Sequence, residues 1–522
     1  MASKREQKTA QRLIRILSEK RFSFIRAIQA THKTAEVYLV GGSVRDVLIG
    51  RPIKDFDFVV RGISLKKTED LLRPLGAMNL VGRTFGVIKF SPTSSKKTST
   101  TRAHVIDIAL PRTEHSEYHT GHYRDFFVKS DWRLPIQDDL SRRDFTINAI
   151  AFDCVRREFI DPFGGIQDCT KKIIRCVGKP SDRFREDYSR MLRALRFSCQ
   201  LNFSLDGEVV DALTELFPKI NKKIRAPKNV LSPKDLNALR VVPYEVLARE
   251  LCLTIISHPL RAIELFETFG VFATLMPQVL VMKGCPQPPL WHSEGDVWTH
   301  TKLCIQALLG RQFKKEFGAS PLEPLLLWAV LFHDIGKPLA LKTPEKDGVD
   351  RIRFDGHDRM GADCAREIAE TLRLHSVQDM HISSEDLWWL INYHLVMLNT
   401  DLKLIKHTTL EKYFFRDARR GLLLRQLIFV DSLGSKRADG KTSLGSYRAL
   451  KRRLKNYEKI FHQKNRLPPA IVNGDEIMRA LHLSPSPLVG DFILQVREEQ
   501  LARRITTKKG ALDFLKKKAK KK

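Results

Sequence analysis

Nowhere in its 522 residues does the chain run to the roughly 18–20 consecutive apolar residues that a membrane-spanning helix requires. It also lacks the Cys-x-x-Cys spacing of a zinc ribbon. The eight cysteines, at positions 154, 169, 176, 199, 252, 285, 304 and 364, are scattered. That scatter argues against a compact disulfide framework and leaves reduced, partly buried thiols of a cytoplasmic protein as the expectation. The opening Met-Ala-Ser-Lys-Arg-Glu-Gln-Lys has no apolar secretory core, and Glu6 and Glu19 speak against an organellar transit peptide. No internal repeat is visible. Acidic residues are in short supply: Asp and Glu number 60 against 90 Lys and Arg, a net charge of +30. Such a surplus points to a polyanionic partner, because neutralising phosphates is the main electrostatic route to nucleic-acid affinity.

What is present suffices for several domains. Hydrophobic residues make up 43%, ordinary for soluble protein, and single cores seldom grow past about 250–300 residues. Residues 8–31 read as one basic amphipathic helix, with Leu13, Ile14, Ile16, Leu17, Phe22, Phe24 and Ile25 set among Arg and Lys. From Val37 to about Cys176 the pattern turns to short strands, expected over 37–40, 55–60, 85–90, 104–109, 149–153 and 158–160. Residues 91–101 form a loop by composition, and 113–137, with no clear period, read as a mobile loop near the active site. After Pro180 the chain is helical, over 184–197, 207–219 and 243–256, with a Lys-, Pro- and Asn-rich connector at 218–241. A His- and Trp-rich helical region follows from about Pro286 to Gly440. The final Leu515-Lys-Lys-Lys-Ala-Lys-Lys-Lys522 is expected to be disordered.

The stretch Tyr38-Leu-Val-Gly-Gly-Ser-Val-Arg-Asp46, running on to Lys54-Asp-Phe-Asp-Phe58, is the chain's focal pattern. An apolar run meets a Gly-Gly turn, a short helix carries Arg45 and Asp46, and a strand returns with Asp55 and Asp57. Residues i and i+2 of a strand share a face, so two carboxylates stand side by side, which is costly unless a cation sits between them. Alone, Asp-x-Asp also fits a solvated strand end. After Gly-Gly-x-Val-Arg-Asp it resembles the active-site signature of the tRNA nucleotidyltransferase and bacterial poly(A) polymerase superfamily. Nucleotide transfer of that kind uses two cations clamped on a triphosphate, and carboxylates are the ligands Mg²⁺ prefers. Asp107 in Val105-Ile-Asp-Ile-Ala is placed to be a third acid, or equally a peripheral residue. Gly41 and Gly42 let the backbone approach a phosphate, and Arg45 can hold a phosphate oxygen.

Leu140-Ser-Arg-Arg-Asp-Phe-Thr-Ile-Asn-Ala149 also suits a helix start with basic decoration. It resembles a second element of the same superfamily, which implies Arg143 on the nucleotide and Asp144 and Asn148 near the sugar. Asp161-Pro-Phe-Gly-Gly165 is similar to the next element. In Arg185-Glu-Asp-Tyr-Ser-Arg-Met-Leu-Arg-Ala-Leu-Arg-Phe197, helical spacing makes Asp187 and Arg190 neighbours at i, i+3, followed by Arg193 and Arg196. A carboxylate beside a guanidinium can read a base edge; an ordinary ion pair would look the same. The string resembles the templating helix of class II CCA-adding enzymes, with Tyr188 and Ser189 in place of the more usual Pro-Leu. The resemblance implies that Asp187 and Arg190 choose CTP and then ATP, while Arg193 and Arg196 face phosphate. Pro243-Tyr-Glu-Val-Leu-Ala-Arg-Glu-Leu251 looks like a degraded form of the following motif, with Glu245, Arg249 and Glu250 matching.

His333-Asp-Ile-Gly-Lys337 follows the apolar 325–332, and His292, His300, His357, His394 and Asp431 fall in the same region. Imidazoles with carboxylates suit a transition metal or Mg²⁺. The order His300, His333-Asp334, His357, His394, Asp431 resembles the HD phosphohydrolase superfamily, which implies a divalent-metal centre of those six residues attacking phosphate esters. In CCA enzymes carrying such a domain it is associated with phosphatase and 2′,3′-cyclic phosphodiesterase activity.

The resemblance spans roughly 37–440 and implies an α+β, polymerase-β-like nucleotidyltransferase head, an all-α neck and an all-α HD domain. The expected boundaries are a basic N-terminal helix at 1–36, head 37–178, neck 179–280, HD domain 281–440, and a helical basic C-terminal region 441–522. The expected activity is template-independent CCA addition to tRNA from CTP and ATP, with Asp55, Asp57 and Asp107 catalytic and Mg²⁺ on Asp55 and Asp57. Poly(A) synthesis and partial CC or A addition remain alternatives; Leu80-Val-Gly-Arg-Thr-Phe-Gly-Val-Ile88 begins like a polymerase signature but departs at Thr84 and Ile88. An RNA-binding protein with an inactive head, or an HD hydrolase alone, are the readings from other classes.

Overall fold

Tyr38, Leu39 and Val40 are buried on successive, opposite pleats, so the strand they form must be covered on both faces. The computed structural model, which describes residues 4–81, 86–93, 105–116, 126–223, 240–396, 405–464 and 467–519, places that strand inside a seven-stranded sheet. The chain separates into two compact units, Met1–Leu275 and Met276–Lys522.

The first unit opens with α1 (Lys4–Leu17) and α2 (Ser23–Thr31), then β1 (Glu36–Val40), α3 (Gly42–Leu48), β2 (Phe56–Arg61), α4 (Leu65–Leu72), β3 (Gly76–Val81), β4 (Val87–Pro92) and β5 (Ile106–Ala109). There follow β6 (Arg112–Ser116), β7 (Phe126–Ser130), α5 (Ile136–Ser141), β8 (Ala151–Asp153), β9 (Glu158–Ile160), α6 (Gly165–Lys171) and β10 (Ile173–Ile174). Helices α7 (Pro180–Glu186) and α8 (Ser189–Leu201), the short β11 (Ser204–Leu205), and α9 (Gly207–Leu216), α10 (Tyr244–Ser257), α11 (Pro259–Thr268) and α12 (Val271–Leu275) complete it. The sheet order is β3-β4-β5-β2-β1-β8-β9, mixed because β2 and β5 run parallel while the other pairs are antiparallel.

Strand alternation sorts β2 into two faces. Phe56 and Phe58 meet Phe22 and Phe24, with ring centroids 4.8 Å apart for Phe22–Phe56 and 5.2 Å for Phe24–Phe58, and Phe24 also lies 5.8 Å from Phe90. Val59 packs on the other side with Tyr38, Val40, Ile136, Leu140, Ala149, Ala151 and Val177. Asp57 shares the pleat of Val59.

Several expectations are corrected here. The single helix over 8–31 is two, because the chain turns through Lys20–Phe22 to drive Phe22, 1% exposed, onto the sheet. Of the loop expected over 113–137, residues 117–125 lie outside the described residues, while β6 and β7 on either side form an antiparallel ribbon and α5 follows. Two segments that satisfy each other's backbone groups need no alternating apolar face to announce them. Strand β3 was not expected at all; it lies at the sheet edge with alternate residues exposed. The helix over 184–197 breaks at Asp187, whose φ of −149° is extended. The start of the expected strands at 85 and 104, most of the 91–101 loop and the connector from 224 to 239 lie outside the described residues.

The second unit is helical: α13 (Val297–Leu309), α14 (Arg311–Phe317), α15 (Pro324–Phe332), α16 (Lys337–Ala340), α17 (Pro344–Asp347), α18 (His357–Thr371) and α19 (Ser384–Tyr393) come first. Then come α20 (His407–Phe414), α21 (Ala418–Gly434), α22 (Gly445–Lys464), α23 (Gly474–Leu481), α24 (Pro487–Leu501) and α25 (Lys508–Ala519). Every residue from Leu325 to Phe332 is buried, as a helix that is apolar all round demands, and α13, α18, α19 and α21 pack against it. The disorder expected from residue 515 is overturned as far as 519. Ala511 and Leu515 are fully buried with Ile477 and Phe492, so α25 is held by its own apolar stripe.

Phe24→Ala should cost about 3–5 kcal/mol, the range for deleting a buried ring. The measurement is the urea midpoint of the N-terminal unit; a loss below about 1 kcal/mol, the scale of an average substitution, would contradict the packing described.

Candidate functional site

Parallel pairing of β2 with β5 sets Asp57 directly opposite Asp107. Asp55 stands exposed just before β2, and Ser43 ties that corner down by donating its hydroxyl to the Asp55 carbonyl at 2.7 Å. Three carboxylates thus gather at one end of the sheet. Burial raises the Asp57 carboxyl above the usual 3.8; Arg143 opposes the rise, and the charges of Asp107 and Asp55 add to it. Lys89, paired with Asp107 across β4 and β5, brings its ammonium to 3.7 Å of that carboxylate. A desolvated carboxylate beside two others fits a divalent cation, and an all-oxygen set suits Mg²⁺.

Gly41 closes β1 at φ +70°, and a Cβ there would fall 2.5 Å from Nη1 of Arg143, so only glycine permits this approach. Arg143 is aimed from both sides: Nη1 donates to the Asn148 carbonyl (3.2 Å) and Nη2 to Asp139 (3.0 Å). Burial would raise Asp139, but the guanidiniums of Arg143 and Arg142 outweigh it and hold the carboxyl low. Asp144 points the other way. It accepts from Nε and Nη2 of Arg193 at 2.8 and 2.6 Å and from Nδ2 of Asn148 at 3.0 Å. Against the cost of full burial these partners bring its pKa down to about 2. Asn148 in turn accepts from Nη1 of Arg45 at 2.6 Å, and the other edge of Arg45 is held by Asp46.

On the neck helices the expected neighbours are rearranged. Asp187 lies between α7 and α8 and accepts the backbone N–H of Ser189 at 2.8 Å, while Arg190 donates to Glu186 at 2.7 Å. The helix break, not a helical i, i+3 register, sets this pairing. Arg196 donates to the buried Glu250 at 2.6 Å. Phe197 lies beneath three guanidiniums, those of Arg196, Arg45 and Arg193, at 4.3, 5.2 and 5.6 Å from the ring centroid.

In the second unit α15 delivers His333 and Asp334 into the interior, where His300 from α13, His357 from α18, His394 after α19 and Asp431 from α21 converge, all buried. His300 Nε2 is 3.1 Å from Asp431 and 3.3 Å from His333 Nε2. Asp334 reaches both groups: its Oδ2 is 3.3 Å from His333, and its Oδ1 lies 3.6 and 3.8 Å from His357 and His394. Each Nδ1 is spent on an oxygen: Val330 for His333, Phe354 for His357, Ile391 for His394 and Glu294 for His300. The Nε2 atoms therefore face inward, where a metal could take the place of any proton they carry. Those of His357 and His394 are buried without a hydrogen-bond partner, which suits a metal ion. His333, despite burial, is raised to about 10 by the Asp334 carboxylate. A divalent metal binding there would have to displace such protons.

Glu294 was not anticipated. It accepts from His292 (2.7 Å) as well as His300 (2.9 Å), and these two imidazoles carry its pKa down to about 2 against burial. Asp139 and Glu186 also went unread, although their i, i+4 spacings to Arg143 and Arg190 were available; Glu294 carries no signal beyond proximity in the chain. A cavity of about 950 Å³ opens on the cluster, lined by Asp334, His357 and Asp431 and by Lys337, Arg351, Arg353 and Trp291. No helix among the described residues is long and apolar enough to cross a membrane.

Residues 37–175 match the family model of the poly A polymerase head domain, and residues 299–430 that of the HD domain. A multifunctional CCA protein of Halorhodospira halophila is 34% identical over 342 residues, covering 65% of this chain and 69% of the relative. One of Xylella fastidiosa is 33% identical over 65% and 70%. Among solved structures, the Bacillus stearothermophilus CCA-adding enzyme in complex with CTP superposes with a TM-score of 0.59 at 19% identity, over 96% of each chain. The Thermotoga maritima CCA-adding enzyme complexed with tRNA gives 0.54 at 18% identity, over 97% and 96%. The fold is therefore that of the CCA-adding enzymes, head, neck and helical C-terminal region together.

Because the folded pKa of Asp57 is raised, the metal-free protein carries a penalty at neutral pH that is relieved as pH falls through that pKa and the folded state takes up its proton first. Asp57→Asn should therefore raise the melting temperature at pH 7. The gain should vanish below about pH 3.8, the ordinary aspartate value. Melting curves of both proteins across pH check this; a pH-independent difference would refute it.

Proposed function

The chain belongs to the family of the multifunctional CCA proteins, and from that premise we propose that its head adds C, C and A to tRNA 3′ ends from CTP and ATP while its HD domain hydrolyses phosphate esters. The observation that carries the first half is the register setting Asp57 opposite Asp107, with Asp55 and Arg143 beside them. Mg²⁺ held by Asp55 and Asp57, with Asp107 alongside, would neutralise the triphosphate and activate the attacking 3′-hydroxyl. Arg143, aimed by Asp139 and the Asn148 carbonyl, meets phosphate beside Gly41 and Gly42, where the backbone can come close. Arg45, Asp144, Asn148 and Arg193 form the frame that orients the nucleotide turn. Base choice falls to Asp187 and Arg190, with Glu186 setting the guanidinium and Arg196 anchored by Glu250.

In the HD domain His300, His333, Asp334, His357, His394 and Asp431 would hold divalent metal, which when bound would supply an activated water for attack on phosphorus. Lys337, Arg351 and Arg353 offer positive charge to the ester in the adjoining cavity. Trp291, with the Arg351 guanidinium 5.3 Å from its ring centroid, offers a flat face to a nucleoside. Phosphatase and 2′,3′-cyclic phosphodiesterase chemistry on RNA ends fits that lining. We assign the segments as helix 1–36, head 37–178, neck 179–280, HD domain 281–440 and basic C-terminal region 441–522. The net charge of +30 suits tRNA, and eight free thiols suit the cytoplasm.

Incubation with Mg²⁺, CTP, ATP and a tRNA lacking its terminus should yield products that sequence as CCA. Long A tails would identify a poly(A) polymerase, and products stopping at CC a partial enzyme. Asp55→Ala and Asp57→Ala should each remove several kcal/mol of transition-state stabilisation, roughly a thousandfold or more in rate, while RNA binding survives; unchanged incorporation would remove these acids from the mechanism.

For the HD domain, His333→Ala and Asp334→Ala should abolish metal-dependent release of phosphate while CCA addition continues. Phosphatase activity that persists in both would place the hydrolytic centre elsewhere.

A further inference from the structure

Cys304 takes no part in the reading above, yet it lies inside the HD cluster. Helix α13 sets it one turn beyond His300, fully buried, with its Sγ 3.3 Å from His300 Nε2. The same nitrogen is 3.3 Å from His333 Nε2 and 3.1 Å from Asp431 Oδ1. All four donor atoms lie within 4.8 Å of one another. In a tetrahedral site with bonds of about 2.0–2.3 Å, donors stand roughly 3.3–3.8 Å apart, so with His333 Nε2 also 3.9 Å from Asp431 Oδ1 the four atoms lie close to the spacing of ligands around one ion. We propose that Cys304 is a fourth side-chain donor, with His300, His333 and Asp431, to the metal of the HD domain.

Packing leaves the sulfur no other direction. Gly434 of α21 abuts it so closely that a Cβ there would fall 2.4 Å from Sγ. A thiol buried for packing alone keeps apolar company, whereas this one faces two imidazoles and a carboxylate. The Nδ1 atoms of both imidazoles are turned to oxygens, those of Glu294 and the Val330 carbonyl, so it is the Nε2 edges that face the sulfur. Two imidazole nitrogens, a carboxylate oxygen and a sulfur turned on one point make a good ligand set once their protons are displaced. The buried Nε2 atoms of His357 and His394, without a hydrogen-bond partner and 3.6 and 3.8 Å from Asp334 Oδ1, suit the adjoining half of the cluster to a cation as well.

Binding breaks the S–H bond, forms a sulfur–metal bond and sends the proton to solvent, with no change in oxidation state. A thiolate moves the preference of this position toward zinc, cobalt or iron and away from magnesium and calcium. The half formed by Asp334, His357 and His394 has no sulfur, so the two halves differ in softness.

The proposal rests on the reading of the HD region as a metal centre, and cobalt(II) separates the two. The full chain is stripped with chelator and titrated with cobalt(II) without oxygen. Wild type should show a near-ultraviolet thiolate-to-cobalt charge-transfer band. Cys304→Ser and Cys304→Ala should lose it and bind cobalt about 10–100-fold more weakly, at least the cost of losing an outer-shell partner. Cobalt bound by wild type without the band overturns the role of Cys304 and leaves the metal centre standing. No cobalt bound at all overturns both. A band surviving in a variant that circular dichroism shows to be folded assigns the sulfur to another cysteine and also overturns the proposal; if neither variant folds, the wild-type spectrum decides.

Discussion

A carboxylate cannot be buried cheaply, and Asp144 is buried at the centre of the head. Its charge is met by Arg193 from α8, by the Asn148 side chain and by the backbone N–H of Phe145. Asn148 passes the constraint to Arg45, and Asp46 holds the far edge of that guanidinium. Removing one partner leaves another charged or polar group without its match, so these groups settle one geometry together. The turn at 143–148, the start of α3 and the helix α8 are thereby fixed to each other. Arg143 owes its position beside Gly41 to that arrangement.

The two clusters of acids answer the same difficulty differently. In the head, Asp55, Asp57 and Asp107 gather at a partly open sheet end, where lysine and arginine offset some of the repulsion. In the second unit, Asp334 and Asp431 are buried beside the cavity, with four imidazoles around them and the Lys337 ammonium 2.7 Å from Asp334. Oxygen alone at an accessible edge favours a hard, well-hydrated ion that arrives with its substrate. Imidazole in a closed interior favours a transition metal held in place.

Contiguous chemistry was legible in the sequence. The acids at 55 and 57, the Arg-Arg-Asp run at 142–144 and His333-Asp334 each announce themselves within a few residues, and the strands at 36–40 and 158–160 follow from their apolar runs. What escaped was decided by partners far along the chain or by backbone alone. Glu250 meets Arg196 across 54 positions. The extended φ of Asp187 takes it out of the helical register with Arg190, whose guanidinium goes instead to Glu186. The ribbon of β6 and β7 is held by paired backbone groups. The lysine-rich end looked like a solvated tail because charge outnumbers its apolar residues, yet Ala511 and Leu515 suffice to seat a helix.

The ring of Phe197 lies under Arg45, Arg193 and Arg196, and its edge meets Phe145 at 5.7 Å. One aromatic side chain is therefore common ground for the nucleotide turn, the helix that follows the head and the anchor to α10. A change at this position therefore loosens all three segments together, and repacking it would need matched changes in each of them.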